Sequence, residues 1–362
     1  MGDGAVVSTD LPAALVLRCV RGIGPIGFRR AVEVAGSADG AVRDLPRVLA
    51  AQACDRAARV RDMAIARGIT VVCAGESRYP ATLLSLEDPP PVLFALGSLA
   101  LLDRPAVGMV GARGATAYGL RVTEKLIPPL VRQGVVIVSG LALGIDAAAH
   151  QAALDAAGAT IAVLGTGVDV PYPRENERLY RRIEASGLLL SEALPGAPAH
   201  PGSFPSRNRI IAALSDVVVV VEAGAKSGAL ITAQAAAGIG RLVGAVPGPI
   251  DAPSSDGTNT LLRDGAQVVT GAPDVLGLLA LTLRGRGING VPGETAERPS
   301  FELAGLSDSE RQIVSILDQG PRLADELVGT SGLSARETAS ALSSLTLLGV
   351  VTMDAAGFAR RR

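Results

Sequence analysis

The sequence predicts an α/β fold built on a mostly parallel, Rossmann-like sheet, and three observations lead there. Short apolar runs recur through the middle of the chain: Ala106 to Val110, Val135 to Val138, Thr160 to Leu164, Leu188 to Leu190, Val217 to Val221 and Leu242 to Val246. Helical stretches alternate with them, at Tyr118 to Arg132, Ile145 to Ala156, Arg174 to Ala185 and Ala229 to Ala237. Glycine-rich or polar loops follow several of the runs. Strands apolar on both faces and joined by helical crossovers belong to a parallel sheet covered on both sides.

The elements before the sheet read as a small helical domain, residues 1–68. After a loose tail of about ten residues, Leu11 to Val20 has an apolar helical pattern, Phe28 to Val34 a second, and Leu45 to Arg67 a longer amphipathic one. The turn Arg21-Gly22-Ile23-Gly24-Pro25 is similar to that of helix-hairpin-helix modules, which grip a DNA phosphate through backbone N–H groups. An ordinary helical hairpin has the same outline. Ile69 to Ala74 and Val92 to Ala95 read as strands, joined by a proline-stiffened loop that holds Tyr79-Pro80 and Asp88-Pro89-Pro90-Pro91. The sheet domain is expected over residues 69–282.

Residues 283–300 hold Gly-Arg-Gly, Asn-Gly and Pro-Gly without apolar period and read as a linker. In residues 301–362, helices are expected at Leu306 to Leu317 with Ser307 as cap, at Ala324 to Val328 and at Ser334 to Leu348. Val350 to Met353 and Phe358 to Arg360 then form a hairpin around Asp354 to Gly357. Three helices followed by a hairpin make a winged-helix pattern. Its third helix carries only Arg336 and Glu337 as charges, which argues against reading a duplex.

Composition narrows the function classes. A chain of 362 residues with 34 basic and 35 acidic side chains has room for two or three domains and no global pull on polyanions. Any anion site must be local. Only Lys125 and Lys226 are lysines, and the remaining basic residues are arginines. Three cysteines without a close pair, and two histidines, argue against a metal centre and for a reducing, cytoplasmic setting. The start of the chain lacks a basic segment followed by an apolar one, so no signal peptide is expected. Mean hydropathy is +0.36, yet charges such as Arg132 and Asp216 interrupt the long apolar runs, which points to buried core rather than membrane.

Four loops at predicted strand ends carry candidate chemistry: Val110 to Thr116 with Arg113, Ser139 to Asp146 with Gly140 and Gly144, Gly165 to Arg174, and Glu222 to Gly228 with Lys226 and Ser227. Glycines let backbone N–H groups approach an anion, and all but the third loop lead into a helix N-terminus. The octet Phe204-Pro205-Ser206-Arg207-Asn208-Arg209-Ile210-Ile211 adds guanidinium forks suited to phosphate and a ring suited to stacking on a base. Helical spacing turns Ile210, Ile211 and Leu214 inward. Lys226-Ser227-Gly228 reverses the order of a Walker A ending, and no GxGxxG with a following acidic residue occurs, so no nucleotide cofactor is expected. Ser139, Asp146 and His150 do not make a nucleophile elbow. Asp146 and His150, four apart, would pair or hold their loop. Glu222 is read as a carboxylate accepting loop N–H groups, with a general base as the alternative.

Taken in order, Val110-Gly111-Ala112-Arg113, Ser139-Gly140-Leu141-Ala142 with Gly144-Ile145-Asp146 and His150, Gly167 to Pro173, Ser191-Glu192, the octet at Phe204, Ser227 to Ala233 and Pro247-Gly248 resemble the DprA/Smf family. The likeness covers about Tyr79 to Ala266. It implies a Rossmann-like domain between an N-terminal helical, sterile-alpha-motif-like domain and a C-terminal winged helix. It also implies a non-enzymatic, dimeric protein of natural transformation. Such a protein binds single-stranded DNA with little sequence preference, protects it, loads RecA recombinase onto it and overcomes single-strand-binding protein. Residue by residue, Arg113 would bind phosphate. Ser139, Gly140 and Gly144 would line the pocket through backbone groups, and Arg174 would add a basic contact. Arg207 and Arg209 would bind backbone or hold the loop, Asn208 would fix that geometry, and Phe204 would stack on a base. The competing expectation is an enzyme: a nucleoside-monophosphate phosphoribohydrolase of similar fold, whose Pro-Gly-Gly-x-Gly-Thr segment is absent here.

Overall fold

The computed structural model describes residues 11–285, 306–318, 320–347, 350–353 and 358–361. Four helices open the chain: α1 (Ala13–Arg18), α2 (Pro25–Ala35), α3 (Ala38–Arg43) and α4 (Arg47–Ala66). α1 is shorter than its apolar pattern, and α3, too short for a clear period, lies between two of the expected helices. Ser37 caps α3 by accepting from the Gly40 amide at 3.0 Å.

The sheet follows as β1 (Thr70–Cys73), β2 (Val92–Gly97), β3 (Ala106–Val110), β4 (Val136–Ser139), β5 (Thr160–Leu164), β6 (Leu188–Ser191), β7 (Val217–Val220), β8 (Leu242–Ala245) and β9 (Gln267–Val268). Its order is β1-β2-β6-β5-β4-β3-β7-β8-β9. The pairings of β1 with β2 and β2 with β6 are antiparallel, and all the others are parallel. From β3 the chain builds outward through β4, β5 and β6, then returns to the other side of β3 as β7. That reversal opens a crevice beyond the C-terminal ends of β3 and β7, where open α/β sheets bind ligands.

The intervening helices are α5 (Ala117–Arg132), α6 (Ile145–Asp155), α7 (Glu177–Ser186), α8 (Ser203–Leu214), α9 (Ala229–Gly238), α10 (Asp256–Arg263) and α11 (Ala272–Gly285). Alternate residues of each strand face opposite sides. Val138, Ile161, Val163, Val218 and Val220 pack under α8 and α9, whereas Val107, Met109, Ile137, Val217 and Val219 pack with Leu126, Ile127 and Leu130 of α5. Ile210 and Ile211 are buried, as their helical spacing requires.

Two boundaries differ from expectation. The N-terminal helices do not form a core of their own: Leu15, Val16 and Leu17 share one cluster with Phe94, Leu164 and Leu189 of the sheet. Met1–Gly293 is accordingly one compact unit. α11 runs on to Gly285, so residues 283–285 are helical and not linker; the rest of the expected linker lies outside the described residues.

The second unit, Glu294–Arg362, holds α12 (Asp308–Leu317), β10 (Arg322–Leu323), α13 (Ala324–Ser331), α14 (Ala335–Leu347), β11 (Val351–Met353) and β12 (Phe358–Arg361). Ser307 caps α12 in a reciprocal capping box with Glu310. The three strands order as β10-β12-β11 beside a core of Ile313, Leu317, Leu327 and Leu345. This is the winged-helix arrangement, with β10 added to the expected hairpin. The Asp354 to Gly357 turn lies outside the described residues.

Candidate functional site

The crevice at the sheet's reversal is a cleft of about 820 Å³. Its walls include Arg113 after β3, Phe204, Arg207 and Asn208 of α8, and Lys226 and Ser227 after β7. A smaller pocket shares Arg113, Phe204 and Arg207 with it and adds Gly140, Gly165 and Tyr172. The first, second, third and fourth glycine-rich loops thus converge with α8 on one end of the sheet.

Each loop is held by side chains beneath it. Glu222, buried after β7, accepts from the Thr116 amide at 2.8 Å and from the Thr116 hydroxyl at 2.7 Å, tying the fourth loop to the first. Ala112 N–H donates to the Glu222 carbonyl at 2.7 Å. Gly144, at φ +77°, lets the second loop pass against the backbone of Ala112 and Arg113, and the Ile145 amide bonds the Ala112 carbonyl at 3.2 Å.

Beneath the second loop lies a buried polar group. Asp146 accepts from the Gly140 amide at 3.1 Å. His150 Nε2 accepts from the Leu141 amide at 3.3 Å, while Nδ1 sits 2.6 Å from Thr160 Oγ1. The Thr160 hydroxyl donates to the Ile137 carbonyl at 2.7 Å, so Nδ1 carries the imidazole proton. Asp146 and His150 therefore hold their loop rather than pair with each other. Burial, then the nearby Arg207 charge, press His150 down to about 3. Burial also raises Asp146, against the pull of Arg207 and the loop amides.

Arg207 is the cation of this group. It is 4 % exposed and donates to the carbonyls of Gly140, at 2.5 Å, and Val163. Burial lowers it to about 10, so it stays charged at neutral pH. Arg209 is ion-paired with Asp88 at 3.0 Å and Glu192 at 2.7 Å. Both arginines frame the site. Of the two roles open to them in the sequence, this geometry matches holding the loop.

The exposed positive charge comes from Arg113 and Lys226. The Arg113 guanidinium carbon lies 5.5 Å from the Phe204 ring centroid. Tyr172 reaches Phe204 from the other loop, with centroids 5.3 Å apart and planes tilted by 31°. Arg113 and the rings of Phe204 and Tyr172 therefore meet, and Lys226 lines the same cleft as Arg113 and Phe204. Asn208 donates to the Gly228 carbonyl at 3.2 Å, which fixes the fourth loop against α8.

Four expected contacts do not reach the cleft wall. Ser139 is buried, with its hydroxyl on the Met109 carbonyl at 2.6 Å. Gly144 lies behind Ala112 and Arg113, Arg174 is exposed at the start of a 3-10 turn outside the cleft, and Arg209 is held by its two carboxylates. Sequence reasoning gave no role to Tyr172, although aromatic rings are scarce here, with four tyrosines and five phenylalanines. It also passed over Asn176, which donates to the carbonyls of Leu141 and Ala142 at 2.9 and 3.2 Å.

Comparison with known proteins agrees with this architecture. Residues 70–280 match the DNA recombination-mediator protein A family, and residues 295–357 match the DprA winged helix domain. The chain is 38% identical over 314 residues to a putative DNA processing protein DprA of Mycobacterium tuberculosis, covering 82% of this chain and 78% of that protein. It is 48% identical over 198 residues to the DNA processing protein DprA of Streptococcus pneumoniae, covering 55% and 70%. The X-ray structure of the pneumococcal DprA superposes with a TM-score of 0.65 at 37% identity, over 74% of this chain and 98% of that one. A Helicobacter pylori DprA structure, described for its single-stranded DNA binding mode, gives 0.54 at 34% identity over 60% and 96%. With a family model matched over residues 70–280 and a relative 38% identical over 82% of this chain, the chain belongs to the DprA/Smf family of DNA-processing proteins.

Proposed function

We propose that this chain binds single-stranded DNA in the cleft beyond β3 and β7, protects it and hands it to a RecA-type recombinase during transformation. One observation carries the reading: exposed Arg113 lies over Phe204, which packs against Tyr172, and exposed Lys226 lines the same cleft as Arg113 and Phe204. Cations take the phosphates and aromatic faces take bases of any identity, so the site favours an unpaired strand without strong sequence preference. The Helicobacter pylori relative, described by its single-stranded DNA binding, supports it. A homodimer in the cytoplasm, working against single-strand-binding protein, completes the proposal. The three cysteines are free thiols, consistent with a reducing compartment, and no helix among the described residues is long and apolar enough to cross a membrane.

We read the chain as a binding protein rather than an enzyme. Both oxygens of Glu222 are engaged by Thr116, and His150 is buried with both ring nitrogens engaged. Neither is presented to the cleft as a free base. Fluorescence anisotropy with labelled oligo-dT and a matched duplex across a salt series tests the proposal. Salt-sensitive preference for the single strand is expected. Equal or absent binding, with release of free base from a nucleoside monophosphate, would replace it with the hydrolase reading.

A further inference from the structure

A second cleft, of about 790 Å³, opens among the N-terminal helices. It is lined by Arg18 at the end of α1, Arg21, Gly22 and Gly24 in the turn before α2, and Arg56 and Arg59 of α4. Four guanidinium groups thus come from three segments, and none of the lining residues is acidic. In a chain with 34 basic and 35 acidic residues this is a local departure from balance. Arg56 is fixed in place by donating to the Cys19 carbonyl at 2.9 Å. Arg59 has a single exposed partner, Asp55 at 3.1 Å. Arg21 is exposed, Arg18 half-buried, and neither makes a salt bridge among the described residues.

The turn adds backbone geometry to this charge. Gly22 takes φ +83°, which a side chain would strain, and nothing lies near the space a Cβ would fill. The backbone there is open to a close approach, and α2 begins just beyond it. The cleft also adjoins the main site through the chain. Leu194, on its wall, belongs to the segment after β6 that delivers Pro201 and Phe204 to the main cleft. Leu194 and Pro201 are at most about 25 Å apart along that segment.

We propose that this arginine cleft is a second nucleic-acid contact, taking the phosphodiester backbone of a single strand that continues beyond the main cleft. It rests on the reading of the main cleft as a single-strand site. Without aromatic rings on its wall, it holds phosphate and not bases. Its contribution is therefore salt-dependent and appears only with strands long enough to span both clefts.

The test uses the full chain and two oligo-dT probes, of about 6 and about 25 nucleotides, the first on the scale of a single binding module. In the triple variant Arg18→Gln, Arg21→Gln, Arg59→Gln, affinity for the short probe should stay and affinity for the long probe should fall about tenfold. The salt slope for the long probe should become shallower by about 2, because three guanidinium–phosphate pairings are removed. Lysine at the same three positions should restore most of both. Arg21→Glu, a single exposed change, gives the same pattern if the triple variant folds poorly. Long-probe affinity that stays at the wild-type value, or a loss shared equally by both probes, overturns the second contact while the main site stands. Wild-type protein that binds neither probe overturns the main reading, and this one with it.

Discussion

The guanidinium of Arg113 lies over the ring of Phe204, 5.5 Å from its centroid, although one follows β3 and the other sits in the first turn of α8. The pair couples the first loop to the octet in a single binding surface. Phe204→Ala removes the stacking face and should weaken oligo-dT binding by about 1–3 kcal/mol at any salt. Arg113→Ala removes a phosphate partner and should make the salt slope shallower by about 0.7. Anisotropy titrations at several salt concentrations separate the two effects. Equal slopes for wild type and Arg113→Ala would remove Arg113 from the DNA contacts.

Arg207 belongs to the fold as much as to the site. Its charge is buried over Asp146 and bonded to the Gly140 and Val163 carbonyls. Arg207→Ala removes the counter-charge of Asp146 and the buried donor of the Gly140 and Val163 carbonyls, which should cost about 3–5 kcal/mol of stability. Urea unfolding reads this directly. Lys226→Ala, at an exposed position, should leave the unfolding midpoint unchanged and affect binding alone. An Arg207→Ala protein as stable as wild type would show that the arginine is held for ligand and not for the loop.

This contrast explains what the sequence could and could not convey. The strands from Ala106 to Ala245 are legible because both faces are buried, so each reads as an unbroken apolar run. Gln267–Val268 is not, because both residues of this edge strand are exposed. Arg207 and Arg209 look alike in sequence, two forks either side of Asn208, and both suggest phosphate. Their burial depends on Asp146 of α6 and on Asp88 and Glu192 of two loops, which no local spacing connects to α8. That the helices of residues 1–68 share a core with the sheet is hidden for a similar reason. The apolar face of α1 is visible in the sequence, but its partners Phe94 and Leu189 belong to strands that are themselves apolar on both sides.

The bridge between Glu222 and Thr116 holds the first and fourth loops in one arrangement. Glu222→Gln keeps the size but loses one of the two acceptor oxygens, leaving a buried amide facing a donor. The expected result is a loss of about 1–3 kcal/mol in stability together with weaker oligo-dT binding. Thr116→Ser, which keeps the hydroxyl, should leave both nearly unchanged. Full oligo-dT affinity in Glu222→Gln would mean that the loops keep their relation without this bridge.

His150 makes the stability depend on pH in a direction the geometry fixes. Folded, it is neutral, with Nδ1–H directed to Thr160 and Nε2 accepting from Leu141, and burial holds it at about 3. Unfolded, it returns to the ordinary value of 6.5. Between these values the unfolded chain binds the proton and the folded chain does not, so this contribution falls as pH drops below 6.5 and is fully present above it. Asp146 acts oppositely: burial raises it above its ordinary value of 3.8 in the folded chain, so its contribution is largest at low pH and is lost as pH rises. Comparing wild type with His150→Asn isolates the imidazole, since Asp146 is present in both. Urea unfolding at pH 7.5, 6.5 and 5.5 should show wild type losing on the order of 1 kcal/mol more than the variant across that range. Parallel profiles would mean that His150 takes up its proton in the folded protein as readily as in the unfolded one. The Leu141 amide would then have to give up its acceptor, and the second loop would loosen at the same pH.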